Sequence, residues 1–149
     1  MEKLCVVRIA SIVKKGGNVK DSSNALKLNK LYSCTLLEKN ESNLKMLERI
    51  DNIVTYGEID KDTLKALLKK RGMVSAKNKY EWDDNSLEEF CDSFLAGKRS
   101  LSDLKINNTF KLHPPIKGFE RKGKKTPFSL GGAFGYRGNN INQLLKRMI

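Results

Sequence analysis

The spacing of apolar positions changes several times along this chain, and each change marks an element. Residues 3–9 (KLCVVRI) form a short valine-rich run that predicts a buried strand, with Arg8 near its end. Residues 13–18 (VKKGGN) follow as a loop carrying Lys14, Lys15 and paired glycines. A helix is predicted from Asp21 to about Lys27, with Ala25 and Leu28 toward the core. Residues 32–37 (YSCTLL) predict a second strand and residues 53–56 (IVTY) a third. Between them, Ser42 is placed to cap a helix over 43–50, where Leu44, Leu47 and Ile50 recur on one face. Residues 1–59 therefore pattern as β-α-β-α-β, a compact sheet covered by two helices.

Beyond residue 59 the pattern becomes mainly helical. Asp60 opens a helix that runs to Arg71 and stops at Gly72, with Leu64, Leu67 and Leu68 as its core stripe. Lys69, Lys70 and Arg71 lie in its last turn, where cations favour the helix dipole. After a polar connection containing Trp82, Ser86 and Glu89 have the spacing of a capping box. The helix they begin carries Leu87, Phe90, Cys91, Phe94 and Leu95 and ends at Gly97. Residues 101–106 are a short amphipathic piece, and residues 110–112 a short strand stopped by Pro114 and Pro115. Asn140 and Gln143 are placed to cap a last helix with Ile141, Leu144, Leu145 and Met148 on one side.

One stretch fits neither period. Residues 109–138 (TFKLHPPIKGFERKGKKTPFSLGGAFGYRG) hold all three prolines, six of the eleven glycines and five of the eleven aromatic residues. Pro and Gly exclude a core helix, and so many aromatics are unlike a solvated linker. Long ordered irregular segments in small proteins are usually functional. The charge distribution sharpens this. The chain carries +12 overall, but residues 1–59 carry a net +3, residues 60–97 a net −1 and residues 98–149 a net +10. A basic surface with interleaved aromatics and a glycine-rich backbone suits a polyanion with stacked bases. Lys111, Lys117, Arg121, Lys122, Lys124, Lys125 and Arg137 are the candidate RNA contacts, and Phe128 or Tyr136 the candidate base-stacking rings. Arg8, Lys14 and Lys15 form a possible second surface.

Other chemistry finds little support. His113 is the only histidine, stands before Pro-Pro and has no nucleophile or carboxylate near it in sequence, so a structural role is expected. Cys5, Cys34 and Cys91 are odd in number and widely spaced, the pattern of buried free thiols in a reducing, cytosolic compartment rather than of metal ligands. Residues 131–138 (GGAFGYRG) resemble a phosphate loop only loosely, since no G-K-[ST] ends them and no strand leads in. No apolar run approaches the roughly 18 residues of a membrane span, and the first residues lack a signal-peptide layout. The rival readings are a small RNA- or nucleotide-processing enzyme, or a free RNA chaperone, working through residues 131–138.

Three motifs bring a family into view. LHPP at 112–115, VTYGE at 54–58 and GGAFGYRG at 131–138, followed by NINQLLKRM, resemble the archaeal and eukaryotic form of large-subunit ribosomal protein L-thirty. The resemblance covers essentially the whole chain. It implies an α+β fold: a ferredoxin-like domain with a three-stranded antiparallel sheet and two helices over 1–59, and over 60–149 an extension, mainly helical, with a long basic ordered loop. It also implies a structural, non-catalytic role on large-subunit ribosomal RNA, with 5S rRNA a further candidate and neighbouring ribosomal proteins as partners. Cofactor, metal, membrane and small-molecule substrate are not expected. The first strand begins close to Met1, without the long basic leader of eukaryotic members, which implies an archaeal-type protein in the cytoplasm. There are departures. Ile9 and Ala10 follow Arg8 where the family commonly has glycine, Lys27 stands where bacterial members have glycine, and Phe134 replaces an aliphatic residue. Because a left-handed helix end is costly for lysine, a different turn is expected at Lys27.

Overall fold

The computed structural model describes residues 3–12, 16–75 and 77–149. All six residues of strand β1 (Lys3–Arg8) are buried. A strand alternates its side chains between two faces, so burial of every position means that both faces are covered. Leu4 and Val6 pack on one side with Leu26, Leu28, Leu47 and Ile50. Cys5 and Val7 pack on the other with Leu64, Leu67, Phe90, Leu144 and Met148. The result is three layers. Helices α1 (Gly17–Ala25) and α2 (Glu41–Ile50) cover one face of the sheet. Helices α3 (Lys61–Arg71), α4 (Asp84–Leu95) and α5 (Ile141–Met148) cover the other.

The fold is α+β as expected, but among the described residues the sheet has five strands rather than three. β1 lies between β2 (Ser33–Glu38) and β3 (Val54–Glu58), antiparallel to both. The C-terminal half adds a strand at each edge. β4 (Thr109–Lys111) pairs antiparallel with β2, Phe110 opposite Cys34. β5 (Gly135–Tyr136) pairs parallel with β3, Thr55 opposite Gly135 and Tyr56 opposite Tyr136. Without them β2 and β3 would present unpaired backbone edges, which buried sheets avoid. The fully buried Phe110 sits in the same core as α3, α4 and α5, so residues on both sides of position 59 share one sheet and one core.

Several helix ends differ from the expected ones. α1 begins at Gly17, four residues before Asp21, and its Ala25 is exposed. Its inward face is Ser22, Ser23 and the following Leu26, and a face lined by serines leaves no hydrophobic signature. Asn40, not Ser42, caps α2 by accepting from Asn43 N at 2.9 Å. Asp60 caps α3 as expected, accepting from Thr63 N at 2.8 Å. α4 starts two residues before Ser86, with Leu87 N donating to Asp83 O at 2.8 Å. A true capping box forms instead between Ser100 and Asp103, at the 3-10 turn Leu101–Leu104. Asn140 stands at the N-cap of α5 as expected but its side chain makes no capping hydrogen bond, Gln143 lies within the helix, and a 3-10 turn, Gly138–Asn140, precedes it. Asn142 takes the anchoring role: it accepts from Asp60 N at 3.0 Å and donates to Glu58 O at 3.2 Å. The buried face of α5 is the expected one, Ile141, Leu144, Leu145 and Met148.

Lys27 does adopt the left-handed conformation, with φ 59°. Leu28 N donates to Ser23 O and Lys27 N to Asn24 O, the reciprocal pair that closes a helix with a left-handed residue. Those bonds offset the roughly 1–2 kcal/mol that a residue with a Cβ loses there. All three cysteines are buried and free, and burial pushes the Cys91 thiol up to about 11.

Candidate nucleic-acid interface

Leaving β4, the chain turns at residues 113–115 and runs along the end of α5. His113 N donates to Met148 O, Ile116 N to Arg147 O, and the Arg147 guanidinium to Gly118 O at 2.9 Å. The His113 ring lies 2.7 Å from Pro114 O and 3.2 Å from Ile149 O, so the only histidine is a corner brace. The last carbonyls of a helix have no partners within it, and this segment supplies some.

From Lys117 the backbone forms a sequence of tight turns. Lys117 itself sits at φ 68°. Lys117, Arg121, Lys122, Lys124 and Lys125 are all exposed. Lys124 Nζ lies 5.7 Å from the Phe119 ring, and Phe119 in turn stacks near Tyr32. Lys122 N donates to Gly131 O, which ties this run to the glycine-rich segment. The loop is therefore a held platform with its ammonium groups outward.

The tie that holds it is Arg137. Its side chain is 1% exposed and bridges Glu120 with both nitrogens, at 2.6 and 3.2 Å. Nε donates to Thr55 Oγ1 at 2.6 Å and Nη2 to Ala133 O at 2.6 Å. The guanidinium also lies 4.7 Å from the Phe128 ring. The expected role of Arg137 as a phosphate or base-edge contact is thus corrected: its donors are committed inside the protein, joining the loop at Glu120 to strand β3 at Thr55. Phe128 has a face covered by that guanidinium. Tyr136 is half exposed, with its ring tilted on Tyr56 and its hydroxyl donating to Glu58 at 2.6 Å. Burial works against the Glu58 charge, but hydrogen bonds from Tyr136 and Lys39 outweigh it and hold the carboxyl below its ordinary range.

Arg8 needs the same correction. It is 5% exposed, its Nε donates to Ala10 O at 3.0 Å and its Nη1 to Leu28 O at 3.2 Å, and burial lowers its pKa. It fastens the end of β1 to the turn after α1. Lys14 and Lys15 lie outside the described residues. Residues 131–138 do not form a phosphate cradle. A Cβ on Gly132 would lie 1.9 Å from Thr126 O, and one on Gly57 of β3 would lie 2.0 Å from Gly138 O. These glycines allow backbone to cross backbone. Among the described residues no group of three His, Cys, Asp or Glu side chains is placed to hold a metal, and no helix is long and apolar enough to cross a membrane.

Lys111 is exposed on β4, but away from the 117–125 run. It lines a cleft of about 460 Å3 together with Lys27, Lys70 and Arg71. Only Lys111 of these four was expected to contact RNA. Lys70 and Arg71 were assigned to the helix dipole, and nothing local in the sequence brings them beside Lys27.

No family model matches the chain. Individual proteins do. The chain is 39% identical to large ribosomal subunit protein uL30 of Methanococcus maripaludis, over 97% of each chain. It is 36% identical to that of Nanoarchaeum equitans over the whole of both chains. The chain belongs to the uL30 family. A third member, from Methanopyrus kandleri, is 42% identical over 89% of this chain and 94% of its own. These uL30 proteins are archaeal and match residues on both sides of position 59, in keeping with the resemblance of 54–58, 112–115 and 131–138 to the extended form of the family. All three relatives are named as ribosomal proteins, not as enzymes.

Proposed function

We infer that this uL30-family chain is a structural constituent of the large ribosomal subunit, cytoplasmic and without catalytic activity, that binds the subunit's ribosomal RNA. The observation that carries the mechanism is the pinned loop. Arg137, Glu120 and Thr55 hold residues 117–125 against the sheet while five cations of that run point outward. A positioned cation loses less freedom on meeting a phosphate than one on a mobile tail, so the pin raises affinity without touching RNA. Phosphates are neutralised by Lys117, Arg121, Lys122, Lys124 and Lys125, with Lys111 on a neighbouring surface. Lys14 and Lys15 are proposed as a further contact.

We read residues 1–59 as the ferredoxin-like unit and residues 60–149 as the extension that supplies the grip. The support is that the three central strands and α1–α2 come from the first stretch, and both edge strands and the basic loop from the second. Neighbouring large-subunit proteins are further partners, and 5S rRNA is proposed as a second RNA target of the basic surface.

The test is a salt titration of the isolated chain on large-subunit ribosomal RNA. The five loop contacts to duplex phosphates alone give a slope of log K against log salt of about −4.5, and Lys111, Lys14 and Lys15 steepen it. An affinity that does not change with salt contradicts the electrostatic grip. Running 5S rRNA in parallel tests the second target, where binding no tighter than to an unrelated RNA contradicts it.

A further inference from the structure

We propose that the cleft between the end of α3 and edge strand β4 takes one unstacked nucleotide of RNA, its phosphate on the lysines and its base against Arg71. The proposal rests on the ribosomal-RNA reading above and adds a site to it.

Among the described residues, four cations, Lys27, Lys70, Arg71 and Lys111, line this cleft and no carboxylate does. The contrast along α3 is informative. Lys61 pairs with Asp92, Lys65 with Glu88 and Lys69 with Asp84, all on the side facing α4. Among the described residues, none of the four cleft cations has an acidic partner. Their field is therefore uncompensated, and it is concentrated in a concave space whose walls exclude some water. Lys27 reaches the cleft from a left-handed backbone position that ordinarily favours glycine.

The shape and remaining lining favour a nucleotide over a lone phosphate. The volume, about 460 Å3, falls within the roughly 300–1,000 Å3 of small-ligand sites. Met73 gives an apolar wall and Asn107 an exposed amide, and Asn107 N donates to Met73 O at 2.8 Å to join the two. Unpaired RNA bases stack on guanidinium planes and are read along their edges by amides, whereas bases inside a duplex are not available to a cleft. Among the described residues β4 is an edge strand, and no further strand covers this side.

The experiment uses the full chain and large-subunit ribosomal RNA substituted with 4-thiouridine. After irradiation, crosslinked peptides are identified by mass spectrometry and crosslinked nucleotides by reverse-transcription stops. The expected result is a crosslink from an unpaired nucleotide to the peptide holding Met73 or Asn107. Lys70→Ala with Lys111→Ala, two exposed positions, abolishes that crosslink and reduces the salt slope by about 0.7, the value for the one single-strand phosphate the lysines share. Lys45→Ala, an exposed position on α2 across the sheet, leaves the crosslink in place. Crosslinks confined to residues 117–125 overturn the cleft proposal but leave the ribosomal-RNA reading standing. A cleft crosslink to a base-paired nucleotide also overturns it. No salt-dependent RNA binding at all overturns both. Calorimetry with AMP and with inorganic phosphate separates the free ligands: saturable binding of either that survives physiological salt, with no cleft crosslink to RNA, replaces the proposal by a small-molecule site.

Discussion

Arg137→Ala separates a residue that holds the interface from one that forms it. The substitution removes a guanidinium with four hydrogen bonds to Glu120, Thr55 and Ala133 and leaves the Glu120 carboxylate without its cation. Breaking a buried ion pair from one side costs about 3–5 kcal/mol. Glu120 keeps some solvent, with its side chain 21% exposed, so the lower end, about 3 kcal/mol, is expected. For a domain of about 150 residues, each kcal/mol shifts the melting temperature by roughly 2–4 °C, which gives a drop of about 6–12 °C. Arg137→Lys keeps the charge, but a single ammonium cannot reach Thr55, Glu120 and Ala133 together, so it recovers only part of the loss. Thermal unfolding measures this. RNA affinity at low temperature falls as well, because the loop loses its anchor, but the salt slope stays unchanged because no phosphate contact has been removed. A variant that melts at the wild-type temperature while its salt slope falls by about 1 refutes the reasoning, since that is the behaviour of a direct phosphate contact.

Two further predictions concern how the edges of the sheet are held. Gly57→Ala places a methyl 2.0 Å from Gly138 O, a backbone atom that cannot move without shifting the start of α5; destabilisation of about 1–3 kcal/mol or more is expected in urea unfolding, and an unchanged midpoint would show that the crossing is looser than described. Glu58 titrates below its usual carboxyl value of 4.5. The stability it contributes is therefore complete above that value and is lost as pH falls through the lowered one. Urea midpoints followed from pH 7 to pH 3 should fall less steeply for Glu58→Gln than for the unsubstituted chain, and equal acid limbs would remove Glu58 from the account.

What could be seen in the sequence follows from how local each interaction is. β1 and the buried face of α5 were legible because their apolar spacing is a property of neighbouring residues. α1 was misplaced because its core face is Ser22 and Ser23, both buried, and serines on the inward face leave no apolar periodicity to read. β5 is two residues long and exists only because Gly135 and Tyr136 lie beside Thr55 and Tyr56. The basic character of 117–125 was evident from charge alone. The inward turn of Arg137 was not, because its partners Glu120 and Thr55 are 17 and 82 positions away. The cleft was invisible for the same reason: Lys27, Arg71 and Lys111 come from three separate stretches that meet only at the sheet edge.

The central claim is that the outward cations of the pinned loop place this chain in the large subunit. Sedimentation of the tagged chain expressed in an archaeal host tests it most directly, with Arg121→Glu and Lys124→Glu combined as the comparison. Both residues are exposed and outside the two cores, so the variant keeps its fold by circular dichroism. The account predicts that the unsubstituted chain sediments with the large subunit and that the variant is depleted from that fraction. A variant that enters the large subunit as completely as the unsubstituted chain contradicts it.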